Sequence, residues 1–230
     1  MMHISIAPKA IQKIERGSKN YPPRLNDLAD PPASFYIQGN IRLLSAPMIA
    51  IVGSRQASME GLKVSRLFAR TLSKAGLLVV SGLARGIDGA AHAGALSSGP
   101  NHHTAAVCGT GLDLTYPREH ASLAGAIGNQ GLLISEYPAG TGPKSFHFPR
   151  RNRIIAALSL GVVVIEAAEK SGSLITARIA AELGREVFAL PGPIYSPFFG
   201  GCHQLIQQGA KLTRNPDDVL EELIIPKNLF

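Results

Sequence analysis

Two cysteines, no tryptophan and no apolar run long enough to span a bilayer bound what this 230-residue chain can be. Cys108 and Cys202 lie far apart and outside any CxxC pair. That excludes a disulfide framework, a cysteine zinc site and a dithiol redox centre, and fits a reducing cytoplasm. The opening MMHISIAPKAIQKIERG lacks the apolar core and cleavage site of a secretory leader. Acid is scarce as well: 16 Asp and Glu stand against 23 Lys and Arg, a net charge of +7. A basic balance favours nucleic acid or another polyanion as partner, yet by charge alone the evidence is weak, because many basic faces are merely solvated.

The nucleotide and metal signatures are missing too. Dinucleotide folds need G-x-G-x-x-G after the first strand and an acid after the second; VGSRQAS and VVSG supply neither. No G-x-x-x-x-G-K-[ST] occurs, so an ATPase phosphate loop is not expected. Glu136 and Glu166 are isolated in sequence, whereas two-metal nucleases need clustered carboxylates. His102 and His103 lack other ligands at metal spacing. The expectation is no cofactor, no metal and no catalytic residue.

What is present is a regular alternation. Apolar runs occupy 48–53, 76–82, 103–109, 131–137, 161–167 and 185–192, with helical patterns over 58–74, 87–97, 119–129, 149–159 and 173–183. Continuous Val/Ile/Leu runs separated by helices predict a parallel sheet covered on both faces: an α/β, extended Rossmann-like, doubly wound, mostly parallel fold. A tail helix near 201–208, then AKLTRN and a last helix through DDVLEEL, complete the pattern. Residues 1–47 are Pro-rich toward their end and are expected to wrap a core of 48–230 as a short strand and loops.

Ligands of such sheets sit beyond the carboxyl ends of the strands. There the sequence places Gly53-Ser54-Arg55, the loop carrying Arg85, Gly109-Thr110-Gly111, the segment leading to PRRNR, and Ser171-Gly172-Ser173. Glycine and serine loops at helix starts suit phosphates, although any one of them is as readily a tight turn. Several on one edge, joined by Arg55, Arg85, Arg118, Lys144 and the arginines of FHFPRRNR, fit a phosphate polymer better than one small ligand. Arg150, Arg151 and Arg153 crowd a helix start that ordinarily favours acid. On a helical wheel Arg151 falls on the buried face with Ile154, Ile155 and Leu158, while Asn152 and Arg153 point away. Arg151 is expected to meet a phosphate or a strand-end carboxylate such as Glu136 or Glu166. Arg150, Lys144 and Arg55 have no such partner in the pattern and are the stronger candidates for phosphate contacts.

Two other pairs admit catalytic readings. Asp88 and His92 share a helical face and could be an acid and a base, but an Asp capping a helix start beside a packed His is the favoured account. Cys202 and His203 are adjacent, a poor arrangement for nucleophile and base, and are read as structural.

Taken together, IAIVGSR, VVSGLARGIDGAAHAGAL, AAVCGTGLDLTYPREH, LLISEYPAGTGPKSFHFPRRNRIIAALS, VVVIEAAEKSGSLITARIAAELGREVFALPG and GCHQLIQQGAKL resemble the DNA-processing DprA (Smf) family, from about Tyr21 to about Leu223. The resemblance implies a non-catalytic protein that binds single-stranded DNA, forms dimers, protects incoming strands in natural transformation and helps load the RecA recombinase. By motif it implies DNA contacts at Arg55, Arg118, Lys144 and Phe148, with Phe146 a second aromatic. An exposed aromatic among cations suits unpaired bases; for Phe148 the alternative is a hydrophobic staple at the helix entry. Within GCHQLIQQGAKL a short helix exposing Leu205 or Ile206, beside His203, is the expected dimer contact; ordinary packing on the sheet is its alternative. Many members carry a small helical domain before this region and a winged-helix-like domain after it, for which 230 residues leave no room. The competing reading is a nucleotide-binding enzyme of the phosphoribohydrolase, lysine-decarboxylase-like type. Its PGGxGTxxE stretch corresponds to AAEKSGSLITA, in which Gly172-Ser173 survives but the Glu does not.

Overall fold

Strands that are apolar on both faces can be satisfied only inside a covered sheet. The computed structural model describes residues 10–223 and shows that sheet; both ends of the expected 1–47 and 48–230 division therefore lie partly outside the described residues. The Pro-rich beginning gives β1 (Gln12–Glu15) and β2 (Ser34–Gly39). The six apolar runs give β3 (Met48–Val52), β4 (Leu78–Ser81), β5 (Thr104–Cys108), β6 (Leu132–Ser135), β7 (Gly161–Val164) and β8 (Glu186–Ala189), and AKLTRN contributes β9 (Lys211–Leu212). The order across the sheet is β1-β2-β6-β5-β4-β3-β7-β8-β9. Only β1–β2 and β2–β6 pair antiparallel among the described residues; every other pairing is parallel. This is the α/β, Rossmann-like arrangement expected from the sequence.

The helices are α1 (Met59–Lys74), α2 (Ile87–Leu96), α3 (Ala121–Gln130), α4 (His147–Leu158), α5 (Ser173–Glu182), α6 (Gly200–Gln207) and α7 (Asp217–Glu222). Period-two alternation along the strands divides the core. Ala50, Val52, Val162 and Val164 pack with Ile154, Ile155, Leu158 and Ala177 of α4 and α5. Ile49, Ile51, Val79 and Val163 pack with Phe68, Leu72 and Ala91 of α1 and α2. None of the helices among the described residues is long and apolar enough to cross a membrane.

From β3 the chain builds outward through β4, β5 and β6, then crosses back so that β7, β8 and β9 extend from the other side of β3. The carboxyl ends of β3 and β7 therefore diverge into a crevice, the place where such sheets bind ligands.

In α6 the expected contact surface is corrected. Leu205 is buried in the core with Cys202 rather than exposed. On this amphipathic helix Leu205 and Cys202 share the inward stripe, and Ile206 lies beside it, partly buried.

At the opposite side of the sheet α2 is pinned by a buried histidine. His92 Nδ1 lies 2.8 Å from Thr104 Oγ1, whose hydroxyl donates to the Val79 carbonyl at 2.7 Å. Burial, reinforced by the charges of His120 and Arg151, pushes the His92 pKa down to about 3. The unfolded chain binds a proton at this ring below about pH 6.5 while the folded chain does not, so stability falls as the pH is lowered. Between about pH 6 and pH 4 this residue should contribute a loss of up to about 1.4 kcal/mol per pH unit. Urea unfolding at a series of pH values, compared with His92→Gln, should show that slope in the parent and a shallower one in the variant.

Candidate nucleic-acid interface

The crevice is assembled from short loops whose conformations fix one another. After β3, the Ser54 amide donates to the Glu166 carbonyl at 2.7 Å, and the Ser54 carbonyl accepts from the Ile87 amide at 3.2 Å. Gly86 takes φ +72°, and any Cβ there would strike the backbone of Ser54 and Arg55. The loop bearing Arg55 is thus held against the start of α2, and Arg55 projects into solvent.

Beneath it lies Arg151, the buried cation of PRRNR. Its Nη1 donates to the carbonyls of Gly82 and Val107, at the ends of β4 and β5. Gly82 has no side chain because the guanidinium occupies the space a Cβ would need. Asp88 stands nearby and accepts from the Gly82 amide at 3.0 Å and the Ala84 amide at 3.4 Å. Burial pushes the Asp88 pKa up and the Arg151 pKa down, and each charge partly offsets the shift of the other. Asp88 and His92, though on one helical face, thus have separate hydrogen-bond partners.

This corrects the expected partner of Arg151, which is neither Glu136 nor Glu166. Glu166 is turned toward α1, accepting from the Ser58 amide at 2.9 Å and from Ser58 Oγ at 2.5 Å. Glu136 instead takes Arg153 at 2.5 Å and Arg150 at 3.3 Å, and Asp30 from the N-terminal segment adds a contact to Arg150 at 3.3 Å. Arg150, expected to lack a partner, has two. Arg153, expected to point away, is folded back, its side chain 12% exposed. The wheel carried no information about Asp30, 120 residues from Arg150.

A cavity of about 570 Å³ opens above this floor. It gathers Gly53, Ser54, Arg55, Arg85, Phe148, Arg151, Asn152, Ser171, Gly172 and Ser173 from among the sequence-marked residues. Asn152 donates to the Gly172 carbonyl at 3.2 Å, and Ser171 Oγ meets Ser173 Oγ at 2.7 Å, so the loop after β7 is tied to α4. The start of α5 has no acid in its first turn, and neither has α4. Three residues beyond Ser173 stands Thr176, buried, where the phosphoribohydrolase pattern has Glu.

Half-buried Phe148 carries the aromatic surface: the Arg55 guanidinium lies 5.4 Å from its ring centre and Tyr116 lies 5.3 Å away. A neighbouring hollow shares Arg85 and adds Arg118 and Tyr116. Arg85 is paired with Glu119 there, whereas Arg118 is exposed. Lys144 and Phe146 line neither hollow and stand just before α4, the ammonium 5.9 Å from the ring, and Phe146 is 61% exposed. Sequence reasoning missed Tyr116, Gln56 and Lys170. Lys170 immediately precedes Ser171 in a loop already marked, so its position was available; nothing in the pattern distinguished Tyr116. Cys108, at the end of β5, is held protonated, its pKa pushed up to about 11 by burial.

A doubly wound, mostly parallel sheet with a cationic, aromatic-lined crevice at its switch point defines a Rossmann-like protein. The chain belongs to the DNA recombination-mediator protein A family, whose model matches residues 12–224. It is 49% identical to Protein Smf of Escherichia coli over 91% of the chain, and 50% identical to DNA processing protein DprA of Streptococcus pneumoniae over 88%. It spans 56% of the length of the former and 71% of the latter. The crystal structure of the Streptococcus pneumoniae protein superposes with a TM-score of 0.90 at 46% identity, covering 94% of this chain and 75% of that one. DNA processing protein A from Helicobacter pylori, a protein with a unique single-stranded DNA binding mode, gives 0.83 at 31% identity, covering 93% and 95%.

Removing the Arg151 guanidinium would strip the Gly82 and Val107 carbonyls of their donor and leave Asp88 without its nearest positive charge. Arg151→Ala should cost on the order of 3 kcal/mol of folding stability. Thermal unfolding should show it as a lowered Tm; an unchanged Tm would mean that the strand ends are held by other groups.

Proposed function

We propose that the crevice holds the backbone of single-stranded DNA and that the protein is a non-catalytic strand binder in DNA processing. The observation that carries this reading is the exposed Arg55 guanidinium over Phe148, with Arg118 in the adjoining hollow and Lys144 set against the exposed Phe146 ring just before α4. Cations set beside accessible aromatic rings match a chain that offers both phosphates and unstacked bases. The single-stranded DNA binding of the Helicobacter pylori relative supports the same reading. Arg55, Lys144 and Arg118 are the cations assigned to phosphates, with Phe148 and Phe146 offered to bases. Ser54, Gly53 and the Ser171-Gly172-Ser173 turn supply backbone and hydroxyl contacts. Arg151 and Asn152 shape the floor, and Arg85, Arg150 and Arg153 contribute charge from within ion pairs.

Protection of incoming strands in natural transformation and loading of RecA onto them complete the proposal, as does a cytoplasmic location. Membership of the recombination-mediator family supports a role in recombination; the partnership with RecA is the finer part of the proposal. A homodimer built on α6 belongs to it too. With Leu205 turned inward, the contact falls to Ile206 and His203, joined by Leu212 of β9, which is 45% exposed.

Affinity for oligothymidylate should fall with salt, each neutralised phosphate contributing about −0.7 to the slope of log affinity against log salt. Arg55→Ala and Lys144→Ala should each weaken binding of all sequences alike and flatten that slope by about 0.7. If both bind as the parent does, the crevice does not hold DNA. For the dimer, light scattering at micromolar concentration should give twice the chain mass, and Ile206→Glu should shift the protein to monomer without unfolding it; a monomeric parent would refute the assignment.

A further inference from the structure

The crevice accounts for the cations at the strand ends but not for those on α1. Along this helix Lys63, Arg66, Arg70 and Lys74 follow at spacings of three, four and four residues. That spacing places one cation per turn on a single face, and all four are exposed. The opposite face, with Gly61, Ser65, Phe68, Ala69 and Leu72, is buried against the sheet. The row extends about 16 Å at 1.5 Å per residue. The acid on the helix is Glu60, 3.7 Å from Lys63. Among the described residues the side chains of Arg66, Arg70 and Lys74 make no ion pair. Like charges at these spacings repel each other and weaken a helix, and a face that only needs solvation is served equally well by mixed signs.

Position decides what the row meets. Met59, one turn before Lys63 on the same face, is 73% exposed and lies four residues beyond Arg55. α1 starts at the carboxyl edge of the sheet, where the loop bearing Arg55 ends, and the cations lead from that edge toward the opposite one. Leu67, 51% exposed, flanks them. Regularly spaced positive charge with apolar side chains among it complements a strand with unpaired bases better than a duplex, whose base faces are hidden.

We infer that the exposed face of α1 is a second track for single-stranded nucleic acid, receiving the strand as it leaves the crevice past Arg55 and Met59 and following Lys63, Arg66, Arg70 and Lys74. This rests on the crevice binding single strands. It makes the bound length greater than the crevice alone could hold, by about one nucleotide per cation engaged.

The test compares oligothymidylates of about 6 and about 20 nucleotides, bracketing common single-strand site sizes, by fluorescence anisotropy with the parent and with Arg66→Glu/Arg70→Glu. The long oligonucleotide should lose roughly tenfold or more in affinity, and its salt slope should flatten by about 1.4, two phosphates' worth. The short one should bind as before. Arg66→Gln/Arg70→Gln, checked by thermal unfolding alongside the parent, should show the same length-dependent loss in milder form. A long oligonucleotide bound by Arg66→Glu/Arg70→Glu as tightly as by the parent, or an equal loss at both lengths, would overturn the track while leaving the crevice reading intact. A parent that binds neither oligonucleotide would remove the crevice reading, and the track with it.

Discussion

The Gly82 and Val107 carbonyls, at the ends of β4 and β5, share one side-chain donor, the Arg151 guanidinium that reaches down from α4. Much of the site depends on that reach. It fixes the first turn of α4, and with it the ring of Phe148 and the side chain of Asn152. Asn152 in turn holds the loop after β7 through Gly172. Gly82 must remain side-chain-free for the guanidinium to fit, and Asp88 balances its charge while organising the amides that lead toward Arg85. A buried cation is tolerable only with such compensation. The crevice is shaped around one arginine that a strand in it need not touch.

The remaining charge of PRRNR is distributed by the N-terminal segment. Asp30 and Glu136 hold Arg150 and Arg153 on the side of α4 away from the crevice, so the cations left open to a ligand are the unpaired ones: Arg55, Lys144, Arg118 and Lys170. The segment thus does more than wrap the core. β2 pairs with β6, and the stretch just before β2 brings Asp30 to a helix starting more than a hundred residues later.

How much of this was legible in the sequence depends on the range of the forces involved. The central strands and helices were legible, because period and apolarity are local: the run at 48–53 became Met48–Val52, and 173–183 became Ser173–Glu182. The margins were not, since one short strand was expected before residue 48 and two formed, and β9 in AKLTRN was not foreseen. The burial of Arg151 was legible from its place on the wheel. Its acceptors were not, since backbone carbonyls at the ends of two other strands leave no mark in residue types. Arg150 and Leu205 failed for related reasons. An exposed-looking arginine acquired Asp30 through tertiary structure, and of the two neighbouring apolar residues in HQLI the helix phase selected Leu205 for the core. Glu166, isolated in sequence, proved to belong to the start of α1, a long-range pairing with Ser58.

The two margins of the sheet are unlike its centre. β1 shows outward Gln12, Lys13 and Glu15 around a single buried Ile14, with Lys13 and Glu15 paired at 2.9 Å, while β9 offers only two residues of ladder. A long, flat, apolar border would template the addition of foreign strands. Here one border is guarded by charge and the other is too short to recruit a partner strand, so nine strands rich in valine and isoleucine can be packed side by side without inviting cross-β growth.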